Sequence, residues 1–395
     1  MLQLNRTRGI QARTIVLAIF FNAFMIAGVV AQQPAAPNSS SGSTNQTQHD
    51  SGKEQAKPEA TPKPVDPGSK GQAATPDFDS STGRPFYQEI QEDWSSLQVG
   101  VSKLEAEAPL VAQTDEGETF TRTLVQMKWR PGDALDVYII LPKGVTKPPA
   151  VLYLYGYLDD TDRFRNNRWC ERVTSGGVAA VGFVSALSGH RFHGRPLEQW
   201  FVSELQESLG STVHDVHFIL DYLAQRGDID MNRIGMFGQA SGGTIALLAA
   251  AAEPRIKAVD ALDPWGDWPV WLAKSPIVKD DPNHTNFAAD AQFLKKVAPL
   301  DPVRWLPTMT STHIRIQQVM ENESTPNASK DALRKAAPKQ AEVVRFDHVK
   351  DLAAANSDGK LFDWMKDALK ATPERTPNAS MAATVGANAS KAKQQ

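Results

Sequence analysis

Hydrophobic and polar positions along the central part of the chain predict strands and helices in alternation. Residues 119–128 and 134–141 alternate apolar and polar side chains on either side of an Arg-Pro-Gly-Asp turn, which predicts an antiparallel hairpin. Short, largely apolar runs bounded by turn residues predict further strands, which lie at residues 149–157, 177–185, 234–237, 255–262, 313–319 and 341–346.

Helical patterns separate these predicted strands. Within residues 202–226 the apolar side chains recur at helical spacing, and an alanine- and leucine-rich run at 244–252 continues as a helix after a glycine-rich turn. A terminal helix is predicted at about 360–369. Strands that alternate with helices are typical of a mostly parallel sheet with helices on both faces, so the predicted fold class is α/β. Residues 264–310 interrupt the alternation and are rich in tryptophan and proline, which indicates a small cap over the carboxyl edge of the sheet.

The first 31 residues differ in pattern from the centre of the chain. Residues 1–31 contain several arginines, then an apolar run, and then small residues that end at Ala31, which together predict a secretory signal peptide. An uncleaved segment that tethers the protein to a membrane is the alternative, because the apolar run is near the shortest length that spans a bilayer. Both alternatives predict a protein that is secreted or works in the periplasm or cell envelope.

Two further segments have too few large apolar residues to form a core. Residues 32–83 are rich in proline, serine and glutamine and are predicted to be a disordered tether, and residues 372–395 are predicted to be a disordered tail. The remaining residues, 84–371, are predicted to form the folded domain, whose size suits one large α/β enzyme.

Composition narrows the classes of partner and cofactor. A formal net charge of −3 gives no electrostatic reason to expect a nucleic-acid partner. Cys170 is the single cysteine, so no intramolecular disulfide can form, and its surroundings predict a buried position on a helix. The sequence contains no phosphate-binding loop of the Walker type and no clustered metal ligands, so we expect neither a cofactor nor a metal.

The stretch around residue 240 carries the most informative chemistry. A predicted strand runs into the sequence Gly-Gln-Ala-Ser-Gly and then into a helix, which is the setting of the G-x-S-x-G nucleophile elbow. In that motif a serine stands at the apex of the turn, whereas here the apex position holds an alanine and a serine follows one residue later. The candidate elbow residues are Gly238, Gln239, Ala240, Ser241 and Gly242.

With these elements in place, the chain resembles the α/β-hydrolase superfamily, and within it the secreted dienelactone-hydrolase, acyl-esterase and prolyl-oligopeptidase-like members. The resemblance covers about residues 120–370. It rests on the hairpin followed by a buried strand, on the sequence Asp-Ile-Asp-Met-Asn-Arg-Ile-Gly-Met-Phe-Gly at 228–238, and on the order of the remaining strands. It implies an α/β-hydrolase fold and hydrolysis of a small-molecule carboxylic ester or amide by a nucleophile, an acid and a base.

The resemblance also implies a place for each catalytic group. The nucleophile follows the strand at 234–237, which makes Ser241 the candidate, and the base follows the last strand, where His348 stands. The acid is expected after the strand at 313–319, at Glu323, or one strand earlier, at Asp263.

An oxyanion hole would use the backbone amide after the nucleophile and a second amide from the loop after residues 149–157. The candidates in that loop are Gly156 and Tyr157.

Two interpretations of the elbow remain open. In the first, the turn shifts by one residue, His348 takes the proton of Ser241, and the protein is a serine hydrolase of esters or amides. The shifted frame places Gln239, a long side chain, where a small residue is needed. In the second, Ala240 has replaced the nucleophile, and the protein is a catalytically silent member that binds a ligand or partner.

Further candidates lie outside the elbow and its expected partners. His190 and His193 are candidate pocket residues, whose spacing would suit a metal pair if a third ligand were present, and whose alternative role is structural. Trp265 and Trp268 are candidates to line an apolar pocket or to pack beneath the cap. A second pair, His214 and His217, is predicted to lie on the surface of a helix.

Overall fold

A computed structural model describes most of the chain between residues 78 and 370. The described residues are 78–79, 84–85, 92–99, 107–130, 133–157, 159, 161–188, 191, 202, 204–279 and 286–370. They fall into two compact units. The smaller contains two antiparallel two-residue strands, Phe78–Asp79 and Arg84–Pro85.

Several predictions about the ends of the chain therefore lie outside the described residues. These are the signal peptide at 1–31, nearly all of the tether at 32–83, and the tail at 372–395. Among the helices that the structure describes, none combines the length and apolar character needed to cross a membrane.

The larger unit is built on one sheet, which has nine strands among the described residues. In chain order the strands are β1 Leu110–Glu116, β2 Phe120–Arg130, β3 Asp133–Pro142, β4 Ala150–Leu154, β5 Ala179–Gly182, β6 Ile234–Gln239, β7 Ile256–Leu262, β8 His313–Val319 and β9 Glu342–Phe346. Their order across the sheet is β9-β8-β7-β6-β4-β5-β3-β2-β1.

The sheet is mixed, and its parallel part positions the candidate site. Strand β2 pairs antiparallel with both β1 and β3, which confirms the predicted hairpin, and β3 pairs antiparallel with β5. The remaining pairs, from β5 through β4, β6, β7 and β8 to β9, are all parallel. Because parallel strands place their carboxyl ends at one edge, the residues that follow β4, β6, β7, β8 and β9 lie along that same edge.

Helices connect the strands of the larger unit. In chain order they are α1 Asp162–Arg165, α2 Asn167–Thr174, α3 Leu205–Arg226, α4 Ser241–Ala252, α5 Trp268–Lys274, α6 Pro276–Lys279, α7 Ala291–Val297, α8 Pro302–Trp305, α9 Asn327–Ala336, α10 Val349–Ala355 and α11 Lys360–Lys370. Short 3-10 turns add Phe287–Ala289, Ala298–Leu300, Leu306–Thr308 and Ser357–Gly359.

Hydrophobic cores lie on both faces of the sheet. In β4, Leu152 belongs to a cluster with side chains of α3 and α4, whereas the adjacent Tyr153 belongs to a second cluster with side chains of α2 and α11. Adjacent strand residues point to opposite faces, so the two clusters cover the two sides of the sheet. Cys170 is buried in the second cluster on α2, as predicted.

The segment between β7 and β8 forms the short helices α5 to α8. It lies within the region predicted as a cap at 264–310, and its helices contact α3 and α4. Trp265 and Trp268 are buried there in the same hydrophobic cluster as α3 and α4. Trp265 stacks on Trp271, and the Trp268 indole donates a hydrogen bond to Leu300 O at 3.0 Å.

The prediction that His214 and His217 lie on a helix surface is wrong. Both side chains are buried, because residues 92–99 run across α3 and cover them. His214 Nε2 lies 3.0 Å from Ser96 O, and His217 Nε2 lies 3.1 Å from Leu97 O. Sequence periodicity reports the faces of a helix but not which distant segment packs on them.

Candidate active site

Ala240 stands at the apex of the turn between β6 and α4. Its backbone adopts φ 51° and ψ −120°, a conformation that residues with a side chain rarely occupy. The Ala240 amide donates to Leu262 O at 2.9 Å, and the Ala240 carbonyl accepts from the Thr244 amide at 3.1 Å. Such strain costs about 1–3 kcal/mol and persists only where the surrounding structure enforces it. The strained elbow therefore exists here with an alanine, not a serine, at its apex.

Two glycines make that turn sterically possible. A Cβ atom on Gly238 would lie 2.1 Å from Gly242 O, and one on Gly242 would lie 2.2 Å from Leu154 O. Neither contact is tolerable for a carbon atom, so both positions must be glycine for α4 to pack so closely on β6 and β4.

Ser241, the candidate nucleophile, is the first residue of α4, and its side chain is fully buried. Its hydroxyl oxygen accepts a hydrogen bond from the Tyr157 amide at 3.0 Å. Tyr157 lies in the loop after β4, next to Gly156, and a Cβ atom on Gly156 would lie 3.7 Å from the Ala240 Cβ. The structure thus brings together Ala240, Ser241 and the predicted oxyanion loop, with the serine hydroxyl bonded to that loop. Gln239 is the last residue of β6 and is half-buried.

The candidate base, His348, follows β9 and pairs with a carboxylate of the loop after β8. His348 Nδ1 lies 2.8 Å from Glu321 Oε2, and the Val349 amide donates to Glu321 Oε1 at 2.6 Å. The hydrogen bond from Val349, and secondly that from His348, lower the pKa of the Glu321 carboxyl below its usual range. An imidazole whose Nδ1 donates to a carboxylate keeps Nε2 available to accept a proton.

The carboxylate paired with His348 is Glu321, two residues before the candidate Glu323. Glu323 is exposed, and Glu321 is half-exposed at 44% of its side chain. Both glutamates follow β8 in the sequence, and only the path of the turn decides which one reaches the imidazole.

The second candidate acid, Asp263, follows β7 and is buried at the base of the same loop. One carboxylate oxygen accepts from the Val319 amide at 3.2 Å, and the other accepts from the Asn322 side-chain amide. Burial raises the pKa of Asp263 to about 6, although Lys330 and these two hydrogen bonds oppose the rise. No pairing of Asp263 with His348 occurs among the described contacts.

Lys330, a residue that the sequence did not single out, completes this arrangement. Its buried ammonium donates to Val319 O at 2.5 Å and to Asn322 O at 2.6 Å. Burial lowers its pKa. Asp263 and Lys330 together hold both ends of the turn 319–322, which is closed by a hydrogen bond of 3.1 Å from the Asn322 amide to Val319 O. This turn carries Glu321, so the buried pair supports the residue that contacts His348.

The remaining candidates contribute differently. His190 and His193 lie outside the described residues. Trp265 is in edge contact with Tyr157 at 5.8 Å between ring centroids, so the tryptophan cluster supports the oxyanion loop from the core. Among the described residues, no group of three or more histidine, cysteine or acidic side chains could hold a metal ion.

Comparison with known proteins places this chain in a family. A family model for the X-Pro dipeptidyl-peptidases (S15 family) matches residues 131–375. The 2,6-dihydropseudooxynicotine hydrolase of Paenarthrobacter nicotinovorans is 26% identical over 149 residues, which cover 38% of this chain and 37% of that protein. The chain thus aligns with well under half the length of this relative.

A solved structure agrees with the fold. The acetyl xylan esterase from Paenibacillus sp. R4 superposes with a TM-score of 0.53 at 16% identity, covering 67% of this chain and 89% of that one. The order and directions of strands β2 to β9, with the elbow after β6, are those of the α/β-hydrolase fold, as expected from the sequence. By its sequence and its architecture, this chain belongs to the X-Pro dipeptidyl-peptidase S15 family of α/β hydrolases.

Proposed function

We propose that this protein binds a small acyl compound, an ester, an amide or the corresponding acid, in a hydrolase site that does not form a covalent acyl-enzyme. One observation carries the proposal: the elbow apex, where the nucleophile of such a site must stand, is occupied by the methyl group of Ala240. A methyl group has neither a lone pair nor a proton to transfer, so His348 has no hydroxyl to activate there.

Ser241 is a poor substitute for the missing nucleophile. Its hydroxyl is fully buried at the start of α4 and is bonded to the Tyr157 amide at 3.0 Å. A serine attacks a carbonyl only when its oxygen faces the substrate and lies within hydrogen-bond reach of a base. Moving the turn by one residue would place Gln239 at the position of Gly238, where a Cβ atom would lie 2.1 Å from a backbone oxygen.

The ligand class follows from the groups that remain. The Glu321–His348 pair offers a hydrogen-bonding imidazole at the same sheet edge as the elbow, which suits a carbonyl or carboxylate group. The names of the relatives support small-molecule ligands, since one is a 2,6-dihydropseudooxynicotine hydrolase and the other an esterase of acetyl xylan.

A fluorophosphonate probe tests the proposal, since it labels activated serines. We expect no labelling of the protein at concentrations that fully label a serine esterase run in parallel. Ligand binding is followed by saturation-transfer NMR with acetate, benzoate and p-nitrophenyl acetate. His348→Ala should weaken the signals, whereas the control variant Glu323→Gln should not. Labelling that mass spectrometry locates at Ser241 would overturn the proposal.

A second candidate function is hydrolysis with water as the nucleophile. The Glu321–His348 pair favours it, because an imidazole held by a carboxylate can act as a general base toward water. Turnover of p-nitrophenyl acetate without labelling by the probe, abolished in both His348→Ala and Glu321→Gln, would support this candidate. If the natural protein turns over no more substrate than the His348→Ala variant, hydrolysis is excluded and the protein only binds its ligand.

The predicted placement outside the cytoplasm belongs to the same proposal. We propose that residues 1–31 direct export, on the basis of their arginine-rich start, apolar run and small residues before position 32. N-terminal sequencing of the protein purified from its native host should begin at or near Gln32. Recovery of an intact N-terminus in the membrane fraction would favour an uncleaved tether.

A further inference from the structure

The hydrogen bond between Tyr157 and Ser241 joins the two segments that supply an oxyanion hole in this fold. In α/β hydrolases one donor is the amide of the residue after the nucleophile, and the other is an amide of the loop that follows the strand equivalent to β4. The corresponding residues here are Ser241 and a residue of the loop containing Gly156 and Tyr157. That loop amide donates to the Ser241 hydroxyl at 3.0 Å.

We propose that Ser241 is a permanent internal occupant of the oxyanion hole, so that the site has lost carbonyl polarisation as well as its nucleophile. This inference rests on the proposed function, in which Ala240 is the true apex. It adds a second, separate obstacle to acyl transfer, and it predicts that a serine restored at position 240 is not sufficient for full reactivity.

The contacts around the apex place the loop that contains Tyr157 beside Ala240. A Cβ atom on Gly156 would lie 3.7 Å from the Ala240 Cβ, so this loop is in van der Waals contact with the apex. The first turn of α4 also lies against the loop, since a Cβ atom on Gly242 would lie 2.7 Å from Tyr155 O. The loop that carries the Tyr157 amide is therefore beside the apex, where a reacting carbonyl would bind.

The Ser241 hydroxyl matches an oxyanion in distance and in role. Oxyanion donors lie about 2.7–3.1 Å from the oxygen that they stabilise, and the Ser241 oxygen lies within that range of the Tyr157 nitrogen. The side chain is fully buried, on the first turn of a well-packed helix, so it does not leave by a simple rotation into solvent. An amide engaged in this way is a weaker donor to a ligand.

The experiment compares fluorophosphonate labelling rates of Ala240→Ser and of the double variant Ala240→Ser/Ser241→Ala. Loss of one oxyanion donor typically slows reaction by about 100-fold or more. We therefore expect the double variant to label at least about tenfold faster than Ala240→Ser, with the label on residue 240. Ala240→Ser/Ser211→Ala is the matched control, because Ser211 is a buried helical serine whose hydroxyl bonds to Glu207 O on α3. Its rate should equal that of Ala240→Ser.

Two outcomes separate this inference from the proposed function. Equal rates for Ala240→Ser and the double variant would overturn the inference alone, since the nucleophile would then be the single missing element. Labelling of the natural protein at Ser241 would overturn the proposed function and this inference together.

If the double variant does not fold, a second measurement tests the inference on the single variant Ser241→Ala. Amide hydrogen exchange and the ¹⁵N shift of Tyr157 are compared in the natural protein and in Ser241→Ala. Faster exchange and a changed shift at Tyr157 are expected in the variant, and unchanged values would overturn the inference.

Discussion

The elbow after β6 and the loops after β8 and β9 differ in the functional groups that they contribute to the candidate site. At the elbow the strained backbone and both glycines are present, but the apex side chain is a methyl group. In the loops after β8 and β9, His348 and Glu321 keep both their functional groups and their contact at 2.8 Å. The strained conformation at Ala240 therefore results from the packing of α4 on the sheet, and it does not require a nucleophilic side chain at the apex.

The two acids beside the site differ in a similar way. Asp263 is buried, carries a raised pKa and supports the turn 319–322, whereas Glu321 is half-exposed and carries a lowered pKa beside His348. Burial thus distinguishes a supporting carboxylate from one that is available for acid–base chemistry.

Gly242→Ala should have the largest effect on the elbow side of this comparison. Its new methyl group would meet Leu154 O at 2.2 Å, so we expect the free energy of unfolding to fall by about 3 kcal/mol or more, or the protein not to fold. Urea denaturation measures the change. The matched variant is Gly227→Ala, at φ 74° with open space around it, where only about 1 kcal/mol is expected. Similar losses for the two variants would show that packing does not impose the elbow.

Lys330→Met should have the next largest effect, on the loop side. The change removes the hydrogen bonds of the buried ammonium to Val319 O and Asn322 O, so we expect a loss of about 2–3 kcal/mol in urea denaturation. The pKa of Asp263 should rise further, because the cation that opposes its rise is gone. Lys335→Met, at an exposed position on the same helix, should change stability little. Equal stability of the two variants would contradict the supporting role of Lys330.

The raised pKa of Asp263 predicts how stability changes with pH. Because this pKa is about 6 in the folded protein and 3.8 for an ordinary aspartate, protonation favours the folded state. The contribution is fully present below about pH 4 and is lost as pH rises through 6; at about 1.4 kcal/mol per pKa unit, it amounts to about 2–3 kcal/mol. Asp263→Asn should flatten this part of the profile of unfolding free energy against pH, and Glu323→Gln should leave it unchanged. An unaltered slope in Asp263→Asn would exclude Asp263 as its source.

Ala240→Gly should have the smallest effect and tests the origin of the elbow strain. Glycine adopts φ 51° without penalty but loses more chain entropy on folding, so the two effects nearly cancel. We expect the unfolding free energy to change by less than about 1 kcal/mol, with the turn retained in a crystal structure. Collapse of the turn, or a large loss of stability, would show that the methyl group itself maintains the elbow.

Local patterns predicted the scaffold well. The hairpin β2–β3, the strands β6 to β9 and the helices α3, α4 and α11 were all expected from alternation, apolar runs and helical spacing. Strand β1 and helix α9 were missed, because β1 has an exposed, weakly patterned sequence and no element was predicted between the loop after β8 and the strand at 341–346. The candidate residues Ser241, Asp263 and His348 could be predicted because each follows a strand whose end is evident in the sequence.

The sequence by itself determined that a strand–turn–helix elbow with an alanine in the serine position lies in an α/β sheet, and that a histidine follows the last strand. The tertiary structure decided that Ala240 is the apex, that the Ser241 hydroxyl bonds to Tyr157, and that Glu321 contacts His348. Periodicity and glycine spacing are local properties of a chain. Which of two neighbouring residues faces a distant loop depends on the turn geometry that packing across the sheet enforces.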